Sequence, residues 1–278
     1  MATVGRKGRG VFYVSCDIEG MSGFAGGGEA ARERNDSIMR EHMTALAEGL
    51  REGGAGRILL KSFHGVPDGL PNFVETIRAC PPGEFDLPRL PAGCRGLVLL
   101  GFHGLAPECG FGHAYRYDYL VLNGRRCGEI AIQVMLAASR GIPAAMLAGD
   151  SFAVSEFLAL APEAVTVTIR PGKAADEGGM SAAVLDEIRD AAREAARRGR
   201  FPLPKLPPNF KLELPMRTGL QAELAVKLPY PVGRDGLRVW RESRDLAEIY
   251  RFLLDSFRVC DDARRIEKER SAGGPAGG

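Results

Sequence analysis

The 278-residue sequence predicts an α/β protein: a mostly parallel sheet covered by helices, with a smaller C-terminal α+β domain. Three observations predict it. Short runs that are apolar throughout alternate with longer stretches of helical spacing, as expected of strands whose two faces are both covered by crossover helices. The chain is longer than one small domain needs. Half of the residues from Phe201 to Pro208 are proline, a linker by composition. The boundaries read as residues 1–200 for the α/β domain, 201–270 for the small α+β domain, and 271–278 for a disordered tail.

The first strand is Val11 to Cys16, and it ends in Asp17-Ile-Glu-Gly-Met-Ser-Gly23. A helix follows from about Glu29 to Glu52, with Ile38, Met39, Met43, Leu46 and Leu50 at helical spacing and a stop at Gly53 and Gly54. His42 reads as lying on the exposed, polar side of that helix. Arg57 to Lys61 is a second strand, closed by Ser62-Phe-His-Gly65, and a Pro-rich connection leads to a third at Gly96 to Gly101. Tyr119 to Asn123 reads as a fourth strand with an Asn123-Gly124 turn. Gly128 to Ser139 is helical. Ala144 to Ala148 and Val165 to Ile169 are the fifth and sixth strands, and Asp150 at the end of the fifth either supports the site or caps the next helix, capping being the favoured account. Met180 to Gly199 is a charged amphipathic helix whose polar side is a solvated face. Beyond the linker, Asn209–Leu214, Gln221–Leu228, Leu237–Glu242 and Leu246–Phe257 read strand, helix, strand, helix.

Composition excludes several classes. Hydrophobic residues make up 45% and charged ones 26%, and 37 basic against 35 acidic residues leave a net charge of +2. Neither a nucleic-acid partner nor a membrane is expected. The apolar run after Arg6, Lys7 and Arg9 is too short for a signal peptide. The six cysteines form no C-x-x-C pair and read as reduced thiols, which suits the cytoplasm. No G-x-x-x-x-G-K-[ST], G-x-G-x-x-G or G-x-S-x-G is present, so Gly26 to Gly28 is not read as a phosphate loop and no serine nucleophile is expected.

The chemistry-bearing residues fall just after strand ends, where open α/β sheets place their sites. Asp17 and Glu19 follow the first strand at period-two spacing, so both carboxylates can face one side. His64 and His103 follow two further strands, and Glu129 opens a helix. Taken singly, each has an ordinary structural account: a turn residue, a loop imidazole, or a first-turn acid that complements a helix dipole. Taken together, three carboxylates and two imidazoles suit a borderline divalent ion such as zinc, and a bridging carboxylate between two ions is the usual basis of dinuclear hydrolysis.

At these residues the chain resembles the D-aminopeptidase family, metallopeptidase family M55. The resemblance is carried by Asp17-Ile-Glu-Gly-Met-Ser-Gly23, the helix around Ile38 to Met43, His64-Gly65, and Leu99-Leu-Gly-Phe-His103. It continues in Gly112-His113, Asn123-Gly-Arg-Arg-Cys-Gly-Glu129 and Leu147-Ala-Gly-Asp150. It implies an aminopeptidase acting on short peptides, D-amino-acid-containing ones first, through two zinc ions per chain. By position it implies that Asp17 bridges the metals, that Glu19, His64, His103 and Glu129 complete the ligands, and that His113 is the catalytic histidine. Imidazole titrates near neutrality, which favours acid/base work for His113, although the family describes a nucleophile. The resemblance further implies a homo-oligomer of stacked pentameric rings.

Three positions depart from the family pattern. Ser62 stands where an Asp is usual, Gln133 where Asn is frequent, and Gly112 where Ser is expected. They leave the metal ligands in place and bear on the substrate. Two alternatives follow: a dinuclear amidohydrolase acting on a specialised non-peptide amide, and a non-catalytic peptide-binding protein.

Overall fold

The structure, a computed structural model, describes residues 10–24, 26–77, 93–105, 113–170 and 181–272. In chain order the elements are β1 (Gly10–Cys16), a 3-10 turn (Glu29–Ala31), α1 (Arg32–Glu52), β2 (Ala55–Ser62), β3 (Val74–Thr76) and β4 (Cys94–Phe102). Then come β5 (Leu120–Leu122), β6 (Arg125–Cys127), α2 (Glu129–Ser139), β7 (Ala144–Asp150), α3 (Ser151–Leu160), β8 (Val165–Arg170) and α4 (Ala182–Arg198). The last are β9 (Phe210–Pro215), α5 (Gly219–Ala225), β10 (Gly233–Asp235), β11 (Arg238–Ser243) and α6 (Leu246–Ala272). The chain divides into two compact units. The larger takes the described residues of 10–113 and 128–206, and the smaller those of 114–127 and 207–272.

In the larger unit six parallel strands run in the order β3-β2-β1-β4-β7-β8. β1 and β7 are buried almost throughout, which is why they read as unbroken apolar runs. Phe12, Val14 and Cys16 of β1 join Val98 and Leu100 of β4 in a core with α1 and α4. Tyr13, Leu97, Leu99 and Leu147 are equally buried at the alternate positions, so the sheet is covered on both faces. Each such large apolar side chain contributes roughly 1.5–3 kcal/mol by leaving water.

α1 presents Ile38, Met39, Met43, Leu46 and Leu50 to this core, as their spacing predicts. His42 lies in the same stripe and is fully buried, its Nδ1 2.8 Å from the Ile38 carbonyl oxygen, which corrects the exposed placement. α4 buries Ile188, Ala192, Ala195 and Ala196, and its other side is the predicted solvated face, where Arg189 and Arg193 pair with Glu52. Ser181 caps its start by accepting from the Val184 N–H, and Gly199 ends it in the left-handed conformation.

The smaller unit is an antiparallel sheet, β10-β11-β9-β5-β6, accompanied by α5 and α6. The predicted fourth strand belongs here: Leu120–Leu122 pairs with β6 and with β9, not with the parallel sheet. Its turn was legible, since Asn123 and Gly124 take φ 51° and 77°, the pair of positive values that a tight hairpin requires. β9 buries Phe210, Leu212 and Leu214 in strict alternation, as a strand covered on one face does. Helix α6 continues to Ala272 and so includes Ser271; the rest of the expected tail, 273–278, lies outside the described residues. Cys16, Cys94, Cys127 and Cys260 are buried and unbridged, while Cys80 and Cys109 lie outside the described residues. Among the described residues no helix is long and apolar enough to cross a membrane.

Candidate metal centre

β1 is flanked by β2 on one side and β4 on the other, the point of a doubly wound sheet where loops part and a crevice opens at the carboxyl edge. Asp17 follows β1, His64 stands two residues beyond β2, and His103 follows β4. The loop after β1 is pinned to β4. The Asp17 N–H donates to the Leu100 carbonyl at 2.9 Å, and the Gly20 N–H donates to the Gly101 carbonyl at 2.8 Å. A Cβ at Gly20 would lie 1.9 Å from the Phe102 carbonyl oxygen. One at Gly101, whose φ is +72°, would lie 2.3 Å from the Asp17 carbonyl oxygen. Both positions therefore require glycine, and this close approach sets the distance between Asp17 and His103. Arg170, buried at the end of β8, donates to the Glu19 carbonyl at 2.9 Å and holds the second carboxylate's backbone.

The six predicted residues converge. His64 Nε2 is 3.0 Å from Asp17 Oδ1 and 3.1 Å from Glu19 Oε2. His103 Nε2 is 3.6 Å from Asp17 Oδ2, and His113 Nε2 is 3.9 Å from Glu129 Oε1. The rings of His103 and His113 stack at 4.8 Å between centroids, 20° from parallel. Two sets of donor atoms each lie within 4.8 Å of one another: Asp17, Glu19 and His103, and His103, His113 and Glu129. His103 is common to both and is 3% exposed, whereas the side chains of His64 and His113 are 39% and 42% exposed. The buried residues form the floor of the site, and the two open histidines face solvent.

The donor chemistry fits divalent ions. His103 Nδ1 lies 2.9 Å from the Gly104 carbonyl oxygen. A carbonyl only accepts, so the ring proton sits on Nδ1 and Nε2 turns a lone pair to the site. That Nε2 is buried and makes no hydrogen bond among the described residues. Burial, and then the neighbouring Glu19 and Glu129 carboxylates, push the Asp17 carboxyl well above its usual range. Glu19 is driven well below its usual range: burial opposes ionisation, and hydrogen bonds with His64 and Asp17 outweigh it. His64, hydrogen-bonded to Asp17 and then Glu19, is pushed up to about 10. Three acids gathered out of water call for positive charge among them, which cations supply.

Of the residues that support the site, Asp150 was marked by the sequence and two others were not. Asp150 caps α3, as expected, by accepting from the Ala153 N–H at 2.7 Å, and it also accepts from the Gly104 N–H at 3.1 Å, beside His103. Glu156 of α3 accepts from the Gly128 N–H at 3.1 Å, immediately before Glu129, and burial raises its carboxyl. Nothing in the sequence marks Arg170 or Glu156, because both act through backbone groups remote along the chain. Ser62 accepts from the His64 N–H at 3.2 Å, a hydrogen bond that orients the loop rather than the imidazole. Cys16, adjacent to Asp17, is fully buried with its thiol raised by burial, the state of a core residue rather than a nucleophile.

A parallel α/β sheet that gathers three carboxylates and three imidazoles at its carboxyl edge has the donor set of a site that could hold metal ions. The family model described as D-aminopeptidase matches residues 11–254, and the chain belongs to that family. It is 27% identical over 177 residues to a D-aminopeptidase of Bacillus subtilis (strain 168), an alignment that covers 57% of this chain. The chain spans about three fifths, 62%, of that relative's length. Among solved structures, it superposes with a TM-score of 0.80 on the Zn-dependent D-aminopeptidase DppA from Bacillus subtilis, which is described as a self-compartmentalizing protease. The two share 20% identity over 92% of this chain and 98% of that one, a likeness of fold.

Proposed function

We propose that this chain is a dinuclear zinc aminopeptidase that releases the N-terminal residue of short peptides, with D-amino-acid peptides as the leading substrates. The observation that carries the reading is the convergence of two sets of donor groups, Asp17, Glu19 and His103, and His103, His113 and Glu129, at the carboxyl edge of the sheet. Family membership and the Bacillus subtilis relatives support the peptide substrate and the metal.

Asp17, Glu19, His64, His103 and Glu129 would hold the two ions. The ions, when bound, would polarise the scissile carbonyl and lower the pKa of water. Arg170 keeps Glu19 in place through its carbonyl. His113 is the proton carrier in this reading: its ring is open to solvent, stacks on His103, and turns Nε2 toward Glu129. It takes a proton during attack on the carbonyl and returns one to the leaving amine. A nucleophilic His113 is the competing assignment. Ser62 motivates a second reading, the same centre acting on a specialised amide, because its hydroxyl holds the His64 backbone and leaves the imidazole unsupported from that side.

Elemental analysis tests the centre. About two zinc ions per chain are expected, sharply reduced in Asp17→Ala; a wild type that neither contains nor takes up metal overturns the reading. His113→Ala should retain metal and lose turnover by at least about a hundredfold, the scale of one acid/base group. Near-normal turnover in that variant removes His113 from its role. The chain is further proposed to form a homo-oligomer, for which light scattering should give a mass well above the 29.9 kDa of one chain. Its unbridged, buried cysteines support a cytoplasmic location.

A further inference from the structure

A cleft of about 660 Å³ opens directly beside Glu19 and His64. Its deep wall is apolar, formed by the buried Ile18, Phe24 and Met39. Its mouth is charged: Glu29 and Asp36 reach it from the start of α1 and the turn before it, and Asp68 from the loop after β2. Arg32 and Asn35 complete that rim. The side chains of Glu29, Asp36 and Asp68 make no ion pair or hydrogen bond among the described residues, whereas most acids on α4 and α6 are paired. Three uncommitted carboxylates therefore face one guanidinium around an opening whose base is greasy.

We propose that this cleft receives the side chain of the substrate's N-terminal residue and selects a long basic one, an apolar stem ending in a cation. The inference rests on the aminopeptidase reading and deepens it by naming the substrate class. A residue whose amine and carbonyl sit at the Glu19 and His64 end of the centre has its side chain beside this cleft. A lysine-like chain would lay its methylenes on Ile18, Phe24 and Met39 and bring its ammonium to the acidic rim. An acidic side chain would meet three like charges there, and a short one would leave the apolar wall wet. Gly27 and Gly28, part of a run not read as a phosphate loop, here keep one side of the opening free of side chains.

The test compares lysine with norleucine, which has the same stem without the charge. Dissociation constants of lysinamide and norleucinamide, in both enantiomers, are measured by calorimetry on the zinc-loaded protein. The corresponding aminoacyl p-nitroanilides are assayed for kcat/KM. Lysine should be favoured by about tenfold in binding, the scale of one charge interaction in a partly enclosed cleft. The ratio should fall toward one in Asp36→Asn/Asp68→Asn, return in Asp36→Glu/Asp68→Glu, and weaken in high salt. Ratios are read within each variant, so any general loss cancels. Equal binding of the two amides, or a preference that survives the double Asn variant, overturns the subsite. A lysine preference in binding without any hydrolysis supports the subsite while removing the aminopeptidase reading, so the two failures are distinct.

Discussion

Asp150 illustrates how much one side chain does at this sheet edge. It caps α3 through the Ala153 N–H and holds the Gly104 N–H next to His103. Its cap, and a role beside the site, were legible from its place at a strand end before a helix; the partner of its second bond was not, because Gly104 is remote in sequence. Asp150→Ala should cost about 2 kcal/mol, combining a lost cap with a lost buried hydrogen bond. Thermal unfolding should fall by several degrees and zinc content should drop, with Asp150→Asn recovering most of the stability. A wild-type melting temperature in the Ala variant contradicts this account. His42 shows the opposite case, a signal present and misread. It lies four residues after Ile38 and four before Leu46, so the helical period already placed it among the buried side chains.

At the scale of elements, apolar runs located β1, β2, β4, β7 and β8 to within two residues at either end, because strands buried on both faces leave no alternation to misread. β3 was missed. It has three residues, none buried, and exists only as the edge neighbour of β2. The packing of α1 on α4 sets two effects against each other at Gly49. Alanine there gains up to about 1 kcal/mol of helix propensity. Its Cβ, however, would sit 2.1 Å from the Arg189 carbonyl oxygen and 2.9 Å from Ala192 Cβ. The obstacle is backbone, so overpacking at about 1–3 kcal/mol outweighs propensity. Gly49→Ala should therefore lower the urea midpoint. A midpoint raised above wild type would show that the helices separate at no cost.

The molecule as a whole is organised by a detour. Residues 114–127 leave the larger unit's sequence to join the C-terminal part in the antiparallel sheet, and Tyr117 fastens them there. Its hydroxyl donates to Ser256 Oγ at 2.8 Å and lies 3.7 Å from Cys260 Sγ, both on α6. Tyr117→Phe should cost about 1 kcal/mol in this unit. Burial pushes the Tyr117 phenol far above its ordinary range. A raised folded-state value means stability is intact below about pH 10, where the unfolded phenol titrates, and is lost as pH climbs beyond it. Denaturation followed from pH 8 to 11 should show that loss in wild type and a flatter profile in the Phe variant. Equal slopes would mean that another group governs the alkaline limb.

The sequence by itself determined the class of sheet and most of its strands, and it singled out six residues that the structure brings close together. The sheet and strands are carried by local pattern, unbroken apolar runs and helical spacing; five of the six residues stand out by their place at element ends, and His113 by the family resemblance. Only the tertiary structure decided that Leu120–Leu122 belongs to the second sheet, that Arg170 and Glu156 support Glu19 and Glu129, and that an acid-rimmed cleft adjoins His64. Those features depend on pairings across up to 151 residues, such as Arg170 with Glu19, where the partner is a backbone group that every residue possesses. Local pattern records which side chains are apolar, charged or small. It does not record whose carbonyl they will meet.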